Sequence, residues 1–309
     1  MLNAPGMMRA LAGTAPHPYA NTVWVPFAPA DGRNMSFTFF NETPADGGQY
    51  NSSAAQLYVV AALMREAAAA AALPPGYAPR LRPSEFGYAL AIPSSATEGW
   101  AVMHAALIAQ ALIHMRSAPL APMVEKAFLF AADDGCCSEQ NSFYGLWRPA
   151  QLRTGPSALA PYTQPVNLAA TMPLPAAAAY AAAAALIDVP SGRAAGAPVR
   201  DNTGARPGAY APSCFAFASA GAGAGGAPPL VAVFITAHHY NDRVPASLVV
   251  AAASAAQLRL LNGLGAPMAL AAVPLAGGVN VTLAVASLPQ YLILPLGASA
   301  EDACASMVW

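Results

Sequence analysis

The sequence predicts an α+β fold: an antiparallel-rich sheet packed on a long buried helix (about 95–116), with long Pro- and Gly-rich irregular arms. Three observations predict it. Ser95 to Arg116 is apolar almost all the way round, as a helix buried in a large core is. In the last third, Val279, Val281, Leu283 and Val285 alternate with Asn280, Thr282 and Ala284, which gives a strand one buried face. Throughout the chain 30 prolines and 24 glycines interrupt regular structure. The helices and strands do not follow a regular βαβ series, so a parallel sheet is not expected.

In chain order, residues 1–20 are dotted with Pro and Gly and read as an extended N-terminal arm. Residues 21–309 then form a single domain with a long irregular insertion or arm near 147–228. Thr22–Phe27 and Met35–Phe40 read as strands of a hairpin around Asp31-Gly32. Ser53-x-x-Gln56 is a capping box opening a helix that Pro74-Pro75-Gly76 ends. A loop with Arg80 and Arg82 leads to a short strand, Gly87–Ile92. Ser95-x-x-Glu98 caps the long helix, and Glu98 suits the positive end of its dipole. Trp100, Met103, Leu107, Ile108, Ala111, Leu112 and Met115 make one face. Gln110, His114 and Ser117 form a narrow polar stripe, and Pro119 stops the helix.

Lys126–Ala131 reads as the next strand. Ala176–Ile187 is helical because alanine has the best intrinsic propensity, and Pro175 fits its first turn. Leu230–Thr236 is a near-continuous apolar strand, expected at the centre of a sheet. Ala246–Ala252 is another strand. Ser254-x-x-Gln257 caps a short helix expected to stop at Asn262-Gly263. Strands near Met268–Val273, Val279–Ser287 and Gln290–Leu294 follow. Trp309 at the end suggests a docked tail.

Composition bounds the function. The 309 residues are 56% hydrophobic but only 8% aromatic. Charged residues are 9%, against about 25% in ordinary soluble proteins. One Lys and 13 Arg make up the basic set. A GC-rich genome explains the alanine but not the missing charge, because arginine codons are also GC-rich. Interface cores are depleted in charge. The composition therefore points to a non-enzymatic structural subunit of a large assembly: a virus capsid shell or capsid-decorating protein, acting by self-association and arm exchange.

Its expected partners are copies of itself or another shell protein. The net charge of −1 and the lack of a basic arm exclude genome packaging by charge. No membrane span is expected, and the first residues do not read as a signal peptide, since no apolar run follows Arg9. A virion, or otherwise a cytoplasmic assembly, is the expected location. The four cysteines, Cys136, Cys137, Cys214 and Cys304, read as buried free thiols, since no pair has zinc-ligand spacing.

No segment carries a catalytic, cofactor or metal motif, so no such residues are assigned. Two segments hold reactive types and are the candidates if the chain is instead a soluble enzyme, with metal assistance as one route. Residues 133–139 contain Asp133, Asp134, Cys136, Cys137 and Glu139, and paired carboxylates can do acid–base work. Residues 238–242 contain His238, His239 and Asp242, which are metal-ligating types. Adjacent histidines in a strand point to opposite faces, which disfavours one shared metal. Ser219–Gly226 is glycine-rich but runs into Pro228-Pro229 and a strand, so it lacks the helix N-terminus that a phosphate loop needs. His104 and His114, about 80° apart round the long helix, read as buried hydrogen-bonded groups, with a pH-dependent assembly switch as the sharper alternative. Asn34, Asn41, Asn51 and Asn280 match the N-glycosylation pattern. They read as unmodified turns and strand faces. A secreted or surface glycoprotein is the third class.

Overall fold

The computed structural model describes residue 15 and residues 53–71, 73, 80–87, 98–116, 120–130, 145–149, 171–187, 212–218, 230–236, 243–295 and 297–309. The hairpin expected over 22–40 and the arm over 1–20, Ala15 apart, lie outside the described residues. Much of 147–228 does too. Within that stretch the described residues form two short strands, a helix and a longer strand.

Helix α1 spans Ser53–Ala70 and α2 spans Glu98–Met115. Before and after α2 run two extended segments, 80–87 and 123–130. They pair in parallel, with Leu81 opposite Val124 and Phe86 opposite Leu129. The Leu81 and Phe86 amides donate to the Met123 and Phe128 carbonyls, while the Glu125 and Phe130 amides donate back to Leu81 and Phe86. Parallel pairing needs a crossover of a dozen or more residues, and α2 supplies it. Two parallel bridges thus flank α2, a pairing that the sequence pattern does not announce.

Strands β1 (Trp147–Pro149) and β2 (Thr171–Pro173) pair with each other, and α3 (Pro175–Ile187) follows directly. Ala176, Ala179, Ala183 and Ile187 lie at helical spacing and are buried. The three alanines let α3 lie close along α2. From His104 through Ala109, α2 itself is buried at every successive position, which no single-faced helix shows. Leu57, Ala61 and Met64 of α1, with Leu81 and Phe86, close round it.

The remainder is a β-sandwich. One sheet has the order β3-β4-β10-β6-β7, formed by Pro212–Ala218, Leu230–Thr236, Gln290–Ile293, Arg259–Asn262 and Pro267–Met268. The other has the order β5-β9-β8, formed by Val244–Val250, Gly278–Val285 and Ala271–Leu275. All pairings in both sheets are antiparallel. Cys214, Ala216, Leu260 and Leu292 of the larger sheet face Leu248, Val250, Val279 and Val281 of the smaller one. Their sequence neighbours Phe215, Phe217, Leu261 and Tyr291 point the other way, onto Ile113 of α2 and Ala183 and Ile187 of α3. The larger sheet is thus covered on both faces. That explains why β4, between β3 and β10, is apolar along its length.

Three details differ from expectation. Asn262-Gly263 does not end a helix. Only a single 3₁₀ turn, Ala255–Gln257, forms there, with the Gln257 side chain accepting from the Ala253 and Ser254 amides. Residues 259–262 are strand instead. Secondly, Cys214 and Cys304 are not free: they form a disulfide with Cα atoms 5.5 Å apart. It ties β3 to α4 (Ala300–Ala305), the short helix that caps the sandwich end. Cys136 and Cys137 lie outside the described residues. Thirdly, the missing charge has an intramolecular account, because a helix buried all round and a sheet covered on both faces need no charged side. The C-terminal tail docks as expected: Val308 and Ser247 exchange backbone hydrogen bonds, and Trp309 packs on the sandwich core.

Candidate active site

In open α/β units, ligands bind outside the carboxyl ends of parallel strands. In this chain the described residues carry two parallel bridges, Leu81 with Val124 and Phe86 with Leu129, the second lying further toward that end. At the opposite, amino end, the Arg82 guanidinium donates to the Glu125 carboxylate at 2.7 Å. That hydrogen bond and the positive charge hold the Glu125 carboxyl below its usual range. Glu125 is thereby committed to an exposed structural pair.

Glu85 is placed differently. It lies two residues before Gly87, in the parallel segment, and is half-buried between buried Pro83 and Phe86. Other carboxylates with described side chains are remote in character. Glu66 is exposed on α1, and Glu301 and Asp302 are exposed in the first turn of α4. Glu85 therefore combines partial burial with a place next to the Phe86–Leu129 bridge. Sequence reasoning missed it because Arg80 to Gly87 looks like a loop: Pro83 reads as a strand breaker. The signal in the sequence was Leu81 and Phe86 bracketing a carboxylate just before the long helix.

Neither segment expected from sequence, 133–139 or 238–242, is among the described residues. Asp133, Asp134, Cys136, Cys137, Glu139, His238, His239 and Asp242 themselves lie outside the described residues, as does Ser219–Gly226. Among the described residues no three His, Cys, Asp or Glu gather as a metal ion requires.

A second polar set lies at the seam between α2 and the sandwich. His104, Gln110 and His114 are all buried. Gln110 Nε2 donates to the Ser287 carbonyl, which pins the helix to the turn before β10. The His114 ring meets Phe215 edge-on, with centroids 5.1 Å apart. Burial depresses the His114 imidazole to about 3, and burial likewise pushes the Tyr291 phenol above its usual range. These groups are enclosed on all sides. They hold the two layers together and offer no access for substrate.

No protein-family model matches the chain, and no curated protein matches it in sequence. Solved structures do. A family 39 glycoside hydrolase from the gut symbiont Bacteroides cellulosilyticus WH2 is similar over 94% of this chain and 45% of its own, with a TM-score of 0.52 and 16% identity. A GH51 arabinofuranosidase from Xanthomonas axonopodis pv. citri is similar over 93% of this chain and 54% of its own, with a TM-score of 0.46 and 14% identity. At that score the second likeness adds nothing to the first. The chain shares the fold of part of the family 39 structure and spans less than half its length.

That likeness overturns the expectation of a virus capsid shell or decorating subunit, and with it the expectation of a non-enzymatic virion protein. Low charge was the ground for both, and in α2 and the larger sheet it accompanies burial within the chain. Among the described residues no helix is long and apolar enough to cross a membrane.

Proposed function

We propose that this chain forms part of a glycoside hydrolase, and that Glu85 is one of the two carboxylates its reaction uses. The position of Glu85 carries the reading: a half-buried carboxylate beside the parallel bridge of Phe86 with Leu129, in a fold similar to that of a family 39 glycoside hydrolase. Glycosidases flank the scissile bond with two carboxyl groups. One protonates the departing oxygen; the other attacks the anomeric carbon or activates water. Partial burial suits either role, because it strengthens the carboxylate's interaction with a developing positive charge at the sugar.

The test is hydrolysis of a panel of 4-nitrophenyl glycosides by wild type, Glu85→Gln and Glu66→Gln. Loss of a positioned acid or base costs about 10²–10⁴-fold in rate. Glu85→Gln should show that loss with an unchanged thermal melt, and Glu66→Gln should match wild type. The reading fails if no glycoside is hydrolysed, or if Glu85→Gln retains wild-type rates.

A further inference from the structure

The outer face of the smaller sheet has a composition that the packing does not explain. Strands β5, β8 and β9 contain no charged residue. Their inner face is buried against the larger sheet, as an apolar face should be. On the outer face, however, Val249 is 42% and Val273 is 61% exposed. Both stand in register with Asn280 on the central strand, Val249 on one side and Val273 on the other. Two residues on, Thr282 is exposed on the same face. Asn280-Val281-Thr282 is an acceptor pattern for N-glycosylation.

Such a tripeptide is common by chance, and three further observations give this one meaning. Asn280 is partly exposed on an outward strand face, in the strand two residues beyond the β8–β9 turn. Asn262 shows the contrast: its Oδ1 accepts from the Leu264 and Ala266 amides, so it is occupied by its turn. Cys214 and Cys304 form a disulfide, and disulfides form and persist in oxidising compartments such as the secretory route, where N-glycans are added. Finally, a glycan is bulky and solubilising. It supplies to this uncharged face the hydration that charged side chains provide elsewhere.

We propose that Asn280 carries an N-linked glycan whose first sugars lie over Val249 and Val273. The donor is a lipid-pyrophosphate-linked oligosaccharide of the host. Asn280 Nδ2 bonds to the anomeric carbon of the first sugar and loses a proton. The bond from that carbon to the pyrophosphate oxygen breaks, and the lipid pyrophosphate leaves. No oxidant or reductant takes part. Thr282 sits where the hydroxyl of the acceptor pattern is required, so it is a recognition residue and is not modified itself.

The test expresses the full chain through the secretory route of a eukaryotic host. Glycans are removed with peptide N-glycosidase in ¹⁸O-water, which converts a glycosylated Asn to ¹⁸O-Asp, and the peptide spanning 278–285 is read by mass spectrometry. Conversion of most copies at Asn280 is expected. Thr282→Ala should abolish it and Thr282→Ser should retain it, each leaving the Cys214–Cys304 disulfide in place. Enzymatic removal of the glycan from folded protein should raise binding of an apolar dye several-fold. An unconverted Asn280 in disulfide-bonded wild type overturns the proposal, whatever is found at Asn34, Asn41 or Asn51. Conversion that persists in Thr282→Ala overturns it as well, since deamidation without a glycan would then be the source.

Discussion

The sandwich and the helical half solve the same packing problem by opposite means. In the sandwich, burial is set by alternation. Phe215 and Phe217 go to the helices while Cys214 and Ala216 go to the other sheet, and Tyr291 and Leu292 divide in the same way. Most of its strands are joined by short connections, and a disulfide fixes its end. In the helical half, the middle of α2 has no outside face. Ala105, Ala106 and Ala109 are as buried as Leu107 and Ile108, and the parallel pair it bridges meets only through long-range contacts. The difference teaches where each kind of information lies. Antiparallel order is written within a few residues; parallel order becomes visible only when the crossover is folded.

Removing the disulfide should act mainly on the sandwich and have the largest effect on stability. Its cysteines are 90 residues apart, and a loop of that size gives about 2–5 kcal/mol of stabilisation. Cys214→Ala with Cys304→Ala should lower the denaturant midpoint accordingly. Amide exchange should rise first in β3 and α4, and later in α2. Equal acceleration in both halves would show that they unfold as one unit and break the comparison.

Acid should strike the seam between them. The unfolded His114 takes up its proton near 6.5, whereas the folded one stays neutral until about 3. Protons therefore favour the unfolded chain in that window. The contribution is fully present above pH 6.5 and is lost as pH falls toward 3. Denaturant midpoints of wild type should decline across that range, and those of His114→Gln should decline less. Parallel curves would remove His114 from the account.

A smaller effect sharpens the picture of the sheet edge. Gly277 turns the β8–β9 hairpin with φ of 88°. At Gly278 an added Cβ would lie 2.7 Å from the Val250 carbonyl oxygen. Gly278→Ala must push two backbones apart and should cost about 1–3 kcal/mol, read by thermal melting. A loss confined to exchange in β5 and β9, with α2 untouched, would confirm that the halves respond separately.

Much of the sandwich was legible in the sequence. The alternation of β9 and the apolar run of β4 each show in a short window, as does the Ala-rich α3 of the helical half. The all-round apolar character of α2 was legible too, and its cause was misassigned. Burial between a sheet and other helices leaves the same trace as burial between subunits, so composition alone could not separate them. The parallel pair was hidden because Pro83 and Arg82 give residues 80–87 the look of a loop. Glu85 was hidden with it, since its partial burial beside the Phe86–Leu129 bridge shows only in the folded chain. The disulfide was hidden because residues 90 apart share no local pattern.

The most direct test of the central claim is affinity labelling. An epoxyalkyl glycoside carries a sugar that selects a glycosidase site and an epoxide that esterifies a carboxylate held there. Peptide mapping should place the label on Glu85, with free sugar protecting it and with Glu66, Glu301 and Asp302 left unmodified. Label spread over those exposed carboxylates while Glu85 stays unmodified would contradict the account.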